Sequence, residues 1–425
     1  MENNYKNTTW RKVRLGDVVT SGGSVSGPFG SSIHSKFYRP KGVPIIRGNN
    51  LSLAGQRGQY VDDDYMFLDS AKADELHHAH AVSGDIVITA RGTLGQVGLI
   101  PSSALYPKYI LSANQLRFRI DPDKADNKFV YYSLANKRMI RHIQSLSANV
   151  GVPNFNLGMA RNLELYLPDV STQTRIAEFL GTFDDKIEVN NKIIRNLEEL
   201  AQTIFKEWFV KFRFPDYEKV KMVDSELGRI PEGWGITAIG TVCRIVGGGT
   251  PSTTVAKYWA NGDVLWATPT DMTSLKSIFI DSTDKKITED GLHNSSATLL
   301  LEGAILMTSR ATVGVMAIAR QPIATNQGFI SLECHFPSNL YMLNCLQRIK
   351  GQIQSLATGS TFPEISRGVF REIRVLIPDV GVHDRFVERI VPMYDEIYRL
   401  QKENEKLVQM RDLFLPKVMK GEVEV

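Results

Sequence analysis

The side chains best suited to catalytic chemistry lie in the segment Asp74-Glu-Leu-His-His-Ala-His80. Neutral imidazole is a common zinc ligand, so closely spaced histidines can hold a cation. The spacing differs from His-Glu-x-x-His, which places two ligands and a base on one helix face. The matching part of the second half offers only His293 nearby. We therefore expect His77, His78 and His80 to lie in a surface loop and to bind no metal.

Two glycine-rich loops, at residues 22–30 and 247–249, are the other segments with potential for chemistry. Phosphate-binding loops have the form Gly-x4-Gly-Lys-Ser/Thr, or Gly-x-Gly-x-x-Gly between a strand and a helix, and neither loop matches. No catalytic triad is evident either. The sequence therefore predicts no catalytic residue, and a hydrolase or a nuclease is a poor interpretation.

Composition allows two or three globular domains and gives a weak signal for nucleic acid. The 425 residues are 43% hydrophobic, and the net charge of +4 is mildly basic. Cys243, Cys334 and Cys345 lack metal-ligand spacing, so we expect reduced thiols. The segment MENNYKNTTWRK is polar, and the longest apolar run, around Leu299–Met307, is too short to span a bilayer. We expect a cytoplasmic protein with no membrane partner.

The elements that must position these loops include a helix predicted from Ser171 to Phe212. Its apolar residues recur in alternating steps of three and four, the period of a helix packed along its length against another helix. It would be on the order of 60 Å long, and Pro215 would end it. Asn190 is the polar member of the seam, where a buried Asn fixes the register of pairing. The predicted seam positions are Ile176, Leu180, Phe183, Ile187, Asn190, Ile194, Leu197, Ala201, Ile204 and Trp208.

The same pattern recurs near the C-terminus, so the partner helix lies in the same chain. We expect the two helices to pair antiparallel. Pro392 falls inside the second helix and predicts a kink or a later start. Arg411 occupies a seam position, and we expect its guanidinium to extend to solvent at the helix end. The predicted seam positions are Phe386, Ile390, Met393, Ile397, Leu400, Asn404, Leu407, Arg411, Phe414 and Val418.

The globular parts of the chain repeat as well. Residues 143–170 and 353–380 align without a gap, and each segment precedes a long helix. Gly84–Gly95 aligns with Gly303–Gly314, and both segments predict strand-turn-strand. Two copies indicate a duplication rather than a solenoid, which needs more repeats to bury its faces. A short helix is predicted in each half, at Lys128–Leu146 and at Tyr341–Leu356.

These patterns predict an α+β fold with two mixed α/β domains related by internal duplication. The domains are residues 1–170 and 234–380, separated by two long antiparallel coiled-coil helices at 171–214 and 381–425. Residues 215–233 form a charged linker without a clear period.

Several segments, in this order, resemble a known family. They are Leu167-Pro-Asp169 ahead of a helix that ends in IFKEWFVKF, SELGRIPEGW at 225–234, and LFLPKVMKGEVEV at 413–425. Together they resemble the specificity subunit of type I restriction-modification enzymes, over nearly the whole chain. The chain also lacks the Asn/Asp-Pro-Pro-aromatic run that likeness to an adenine methyltransferase would require.

The resemblance implies that each globular half is a target-recognition domain for one half of a bipartite double-stranded DNA site. It implies that the helices set the gap between half-sites and bind two methyltransferase subunits. Those subunits would bind S-adenosylmethionine and methylate adenine, and two restriction subunits would complete the enzyme. This chain would hold no cofactor and be non-catalytic. A stand-alone DNA-binding scaffold or regulator, or a methylation-only complex, are the alternatives.

Such a domain needs donors and acceptors for base edges and cations for phosphate. The candidate DNA-binding residues of the first half are Arg47, Asn49, Asn50, Arg91, Asn114 and Gln115. Those of the second half are Thr250, Ser252, Lys257, Tyr258, Thr270, Arg310, Asn326 and Gln327.

Positions shared by both halves are less suited to sequence-specific contacts, because the half-sites differ. Arg91 and Arg310, like Asn114 and Asn326, are therefore predicted to be structural or to bind phosphate. The loops at 47–50 and 267–272 differ between the halves, so they are better candidates for base contacts; ordinary turn chemistry is the alternative.

Charged residues on the first long helix form a predicted solvated face, or else a surface for methyltransferase helices. These residues are Glu198, Glu199, Lys206 and Glu207.

Overall fold

A computed structural model of the chain describes residues 10–55, 58–147, 155–226, 228–275, 277–359 and 363–423. It has two compact units: the first is Met1–Val189 with Glu403–Val425, and the second is Asn190–Lys402. Each long helix therefore contributes one part to each unit, whereas the predicted domains treat the helices separately. Parts of the repeated lead-in, at 148–154 and 360–362, lie outside the described residues.

The first unit has two five-stranded sheets, of strand order β2-β11-β8-β9-β5 and β3-β6-β4-β10-β7, and a β1-β12 pair. Strand β8 is apolar from Ile86 to Ile88 and buried at all four positions, as expected for a strand covered on both faces. It pairs antiparallel with β9, so the predicted strand-turn-strand is confirmed. The strands are β1 (Arg11–Arg14), β2 (Val19–Ser26), β3 (Tyr38–Arg39), β4 (Val43–Ile46), β5 (Ser52–Leu53), β6 (Met66–Leu68), β7 (His80–Ala81), β8 (Ile86–Thr89), β9 (Gln96–Leu99), β10 (Tyr109–Leu111), β11 (Gln115–Ile120) and β12 (Glu164–Leu167).

The second unit repeats the first sheet in the order β16-β23-β20-β21-β18. Beside it are a three-stranded sheet, β19-β17-β22, and the pairs β13-β14 and β15-β24. The matching strand orders confirm the duplication. The strands are β13 (Met222–Ser225), β14 (Gly228–Pro231), β15 (Gly235–Ala238), β16 (Cys243–Gly247), β17 (Val264–Ala267), β18 (Phe279–Ile280), β19 (Lys285–Ile287), β20 (Ile305–Thr308), β21 (Met316–Ala319), β22 (Ile323–Thr325), β23 (Phe329–Cys334) and β24 (Arg374–Ile377).

Short helices connect the strands, and two long helices follow the sheets. Each short helix predicted before the lead-in is in fact two helices; in the first unit, Asn136 separates them and accepts a hydrogen bond from the Met139 amide. The α-helices are α1 (Ser70–Glu75), α2 (Asn127–Ala135), α3 (Lys137–Ser147), α4 (Leu157–Arg161), α5 (Val170–Phe209), α6 (Ile239–Val242), α7 (Pro269–Ser274), α8 (Glu289–His293), α9 (Asn339–Arg348), α10 (Lys350–Ser355), α11 (Arg367–Arg371) and α12 (Val380–Val418). The 3-10 helices are Leu15–Asp17, Gly30–Ile33, Ser35–Phe37, Gly48–Asn50, His77–Ala79, Tyr217–Lys219 and Ala256–Tyr258. Within the described part of the chain, no helix has the length and apolar character needed to cross a membrane.

The long helices α5 and α12 pack antiparallel within each unit. In the first unit, the ring of Phe179 near the start of α5 lies 5.4 Å from that of Phe414 near the end of α12. In the second unit, Phe209 at the end of α5 lies 4.9 Å from Phe386 near the start of α12. Among the proposed seam positions, Leu180, Ile187, Asn190, Ile194, Trp208, Ile390, Ile397, Leu400 and Asn404 are buried. Phe183, Leu197, Ile204, Met393, Leu407 and Phe414 are half-buried.

The later start expected for the second long helix and the solvent-exposed end expected for Arg411 are wrong. Helix α12 begins at Val380 and continues through Pro392, whose ring is exposed on the outer side. Arg411 does not extend to solvent: it is 2% exposed, and its Nη1 donates to Asp184 Oδ1 at 2.6 Å. The buried carboxylate of Asp184 on α5 supplies the opposite charge that keeps this guanidinium inside.

The expectation of three reduced thiols is also wrong. Cys243 and Cys334 lie opposite each other on the antiparallel strands β16 and β23, and they form a disulfide. Their Cα atoms are 4.0 Å apart, because directly paired residues bring their side chains together on one face. Cys345 is a free thiol, and burial raises its pKa to about 12.

Glu198 on α5 is half-buried rather than part of a solvated face, and this gives a pH-dependent prediction. Burial raises the pKa of Glu198 to about 7, partly offset by a hydrogen bond from the Ile278 amide. A raised carboxyl pKa favours the folded state below the unfolded pKa, and this contribution disappears as pH rises through 7. We expect Glu198→Gln to raise the free energy of unfolding at pH 8 by on the order of 2 kcal/mol, and to have little effect at pH 4.5.

Urea unfolding at several pH values measures this effect. Glu199→Gln is the matched control, because Glu199 is the exposed neighbouring carboxylate. Equal responses of the two variants at pH 8 would contradict the assignment.

Candidate nucleic-acid interface

The first unit gathers most of its candidate residues around one open cleft of about 610 Å³. Strands β4 and β10 are parallel neighbours, with Ile46 opposite Leu111. Strands β8 and β11 are antiparallel, with Thr89 opposite Gln115. The loops after β4, β8 and β10 therefore meet at one edge of the two sheets. The candidates that line the cleft are Arg47, Asn49, Arg91, Asn114 and Gln115.

Residues 61–64 fix the loop that carries Arg47 and Asn49. Arg47 Nη2 donates to the Asp64 carbonyl at 2.6 Å, and Asn49 Nδ2 donates to the Asp64 carboxylate at 2.9 Å. Asn50 is fully buried, and its amide nitrogen donates to the carbonyls of Val61 and Asp63 at 3.0 and 2.9 Å. Asn50 thus stabilises the loop from its buried side, and the prediction that Asn50 contacts DNA does not fit this burial.

An aromatic cluster in turn fixes residues 61–64. The hydroxyls of Tyr65 and Tyr109 donate to Asp62 Oδ1 at 2.7 and 2.8 Å. Burial above all, together with the hydrogen bond to Asp62, raises the pKa of both Tyr65 and Tyr109 above the ordinary value. The hydroxyls therefore stay protonated as donors, and Asp62 anchors the segment that orients Arg47 and Asn49.

The other cleft candidates differ in exposure. Arg91 and Asn114 are exposed. Gln115 is 2% exposed, and its side-chain oxygen accepts a hydrogen bond from Ser112 Oγ. Its backbone carbonyl accepts a hydrogen bond from the Gly27 amide at 2.8 Å. Gln115 thus forms part of the cleft floor, while Arg91 and Asn114 present their ends to solvent.

The second unit positions its loop at 249–252 with two tryptophans. Trp266 Nε1 donates to the Gly249 carbonyl at 2.9 Å, and Trp259 Nε1 donates to the Ser252 carbonyl at 3.1 Å. The exposed Thr250 hydroxyl donates to the side-chain oxygen of Gln327. Thr250 and Gln327 are therefore brought together.

The remaining candidates of the second unit have other partners. Lys257 Nζ lies 3.2 Å from Asp290, and Arg310 Nε lies 2.7 Å from Glu364. Asn326 Oδ1 accepts a hydrogen bond from the Gly328 amide at 2.9 Å, which gives this side chain a structural role in a turn. The other positions are Thr270, exposed on α7; Ser252, exposed and bonded to Thr254; and Tyr258, half-buried in a 3-10 helix.

The histidine segment lies in and beside a 3-10 helix. His80 Nε2 bonds the Ala73 carbonyl at 2.8 Å, so the ring has a partner in the local fold. The rings of His77 and His78 pack edge to face, with centroids 6.1 Å apart. In the described ranges, no group of three or more His, Cys, Asp or Glu side chains is arranged to hold a metal ion.

Sequence reasoning missed the parts that orient these candidates. The carbonyls of residues 61–64 accept from the side chains of the loop, and the indoles of Trp259 and Trp266 donate to loop carbonyls. One partner in each of these bonds is a backbone group, which carries no residue signature. No signal in the sequence singles them out.

Comparison with known families gives a clear match. A family model described as "Type I restriction modification DNA specificity domain" matches residues 7–199 and again 231–408. The MjaIX specificity subunit of Methanocaldococcus jannaschii is 32% identical over 203 residues, which are 47% of this chain and 46% of that subunit. The match thus spans about half of that relative. A putative MjaX specificity subunit of the same organism is 22% identical over 438 residues, covering 99% of this chain and 98% of the relative.

A solved structure shares the fold. The S subunit of a type I restriction-modification system from M. genitalium superposes with a TM-score of 0.54 at 14% identity. The superposition covers 97% of this chain and 96% of that one, so the likeness extends over both units.

Proposed function

Because the chain belongs to the family of type I restriction-modification DNA specificity domains, we propose that each unit recognises one half of a bipartite double-stranded DNA site. The observation that carries the proposal is the cleft of the first unit, where Arg47, Asn49, Arg91 and Asn114 converge. Amide groups can pair with adenine and guanidinium with guanine, each such contact giving about 1–3 kcal/mol of discrimination. The long helices set the gap between the half-sites.

Partner subunits supply the chemistry in this proposal. Two methyltransferase subunits bind to this chain, carry S-adenosylmethionine and methylate an adenine in each half-site; two restriction subunits complete a cleaving complex. This chain holds no cofactor and performs no reaction. The complex acts in the cytoplasm, where bacterial and archaeal DNA lies.

The difference between the units supports recognition of two unlike half-sites. The first unit presents Arg47 and Asn49, fixed by residues 61–64, whereas the second presents Thr250 and Gln327. A guanidinium such as that of Arg47 pairs with guanine, whereas a hydroxyl such as that of Thr250 can bond donors or acceptors of any base. An asymmetric site follows.

Footprinting with purified components tests the proposal. The chain together with its methyltransferase is expected to protect two short DNA segments separated by a fixed gap. The chain alone is expected to protect neither. Tight binding by the chain alone, unaffected by methyltransferase, would instead support a stand-alone DNA-binding scaffold.

Arg91 and Arg310 allow a matched prediction, because they occupy the same position in the two units. Arg91→Gln is expected to weaken DNA binding regardless of the DNA sequence. The negative slope of log affinity against log salt is expected to become shallower by about 0.9, as for one lost phosphate contact. Arg310→Gln, which also removes the ion pair with Glu364, is expected to change binding in the same direction. Titrations of the complex at several salt concentrations measure both. An Arg91→Gln variant with an unchanged slope and altered base preference would contradict the phosphate role.

A further inference from the structure

The most exposed large hydrophobic side chain of the described residues is Phe29, at 86% exposure. It belongs to the glycine-rich loop that sequence analysis did not connect with any function. Its neighbour Gly30 lines the cleft of the first unit together with Arg47 and Arg91. Phe29 therefore stands at the rim of a polar cleft with its ring in solvent.

The loop holds Phe29 in place on both sides. The Gly27 amide donates to the Gln115 carbonyl at 2.8 Å, and a Cβ at Gly27 would lie 1.8 Å from the Ser112 carbonyl oxygen. Only glycine fits this approach. Pro28 is buried, and Ile33, at the end of the following 3-10 turn, belongs to the hydrophobic core. Because the backbone on both sides of the ring is anchored, ordering the ring on a ligand costs little entropy.

The surroundings favour nucleic acid over a protein surface. The residues that follow Phe29 are the exposed Gly30 and Ser31, so the loop exposes no second apolar side chain next to the ring. Protein partners typically cover extended apolar patches. A single apolar side chain beside donors and cations is the arrangement of a wedge that inserts between base pairs while polar groups contact the backbone and base edges.

We propose that Phe29 inserts between two adjacent base pairs of the half-site bound by the first unit and unstacks them. This inference rests on the proposed function. The corresponding loop of the second unit, VGGGTPSTT at 246–254, has no aromatic residue. The distortion is therefore confined to one half of the site. Local unstacking also lowers the energy needed to extrude a neighbouring base for methylation.

Fluorescence of 2-aminopurine tests the proposal, because this base brightens when it is unstacked. The probe is moved through the half-site of the first unit in duplexes bound by the complex of this chain with its methyltransferase. Wild-type complex is expected to raise the fluorescence at one step. Phe29→Ala is expected to abolish the rise and to weaken site-specific binding about tenfold, whereas Phe29→Leu, which keeps an apolar wedge, retains both.

Leu105→Ala is the matched control, since Leu105 is 69% exposed in the same unit and does not line the cleft. Unchanged fluorescence and affinity in Phe29→Ala would overturn the wedge. Loss of methyltransferase binding by Phe29→Ala would overturn it as well and assign the ring to a protein contact. A wild-type complex that binds no bipartite site would overturn the proposed function itself, and this inference with it.

Discussion

Arg411→Met is expected to lower the free energy of unfolding of the first unit by about 3–5 kcal/mol. In the folded chain, Arg411 Nη1 donates to Asp184 Oδ1 at 2.6 Å and to the Gly55 carbonyl at 2.9 Å. Tyr132 and Gln59 donate to the other oxygen of Asp184 at 2.6 and 3.2 Å. Removal of the guanidinium leaves a buried carboxylate without its counter-charge, and this uncompensated charge dominates the loss.

Controls separate the buried charge from the lost packing. Asp184→Asn combined with Arg411→Met removes both charges, so we expect a smaller loss than for Arg411→Met alone. Arg399→Met removes an exposed partner of Glu396 and is expected to cost less than about 1 kcal/mol. Calorimetric unfolding measures all three variants. If Arg411→Met, like Arg399→Met in the second unit, leaves the unfolding of the first unit unchanged, the ion pair does not stabilise the first unit.

Lengthening both long helices by one heptad is expected to widen the gap between the half-sites by about three base pairs. Seven helical residues add about 10 Å, and ten base pairs occupy about 34 Å. Insertion after Val189 in α5 and after Lys402 in α12 falls at the boundary between the two units, so it leaves the contacts inside each unit intact. A heptad also preserves the seam.

Methylation mapping measures the gap and the bases together. The bases of each half-site are expected to stay the same, because each cleft is unchanged. An insertion of five residues is the control: it rotates the seam positions away from each other, and we expect methylation to be lost. A heptad variant that recognised new bases at the old gap would contradict the role of the helices as a ruler.

The period of the apolar residues and the internal repeat predicted the fold well, because both can be read directly from the sequence. The steps of three and four between Leu180 and Trp208 identified α5, and the alignment of Gly84–Gly95 with Gly303–Gly314 identified equivalent hairpins. Pro392 misled about the start of α12, since packing of α12 on both sides of one exposed proline outweighs the loss of a single backbone hydrogen bond.

Properties that depend on distant partners could not be predicted. Arg411 and Asp184 are 227 positions apart, and Cys243 and Cys334 are 91 apart, so their pairing requires the final register of helices and strands. Asn49 and Asn50 are adjacent residues of the same type, yet Asn50 is buried beneath the loop and Asn49 lines the cleft. The two side chains differ in burial, and no local sequence pattern predicts this difference.

Methylation mapping of a cell that carries this chain and its methyltransferase tests the central claim most directly. Single-molecule sequencing is expected to show one bipartite motif, with a fixed gap and one modified adenine on each strand. Replacing residues 234–380 by those of another family member is expected to change one half of that motif only. A continuous motif, or a motif that changes in both halves after this replacement, would contradict the assignment of one half-site to each unit.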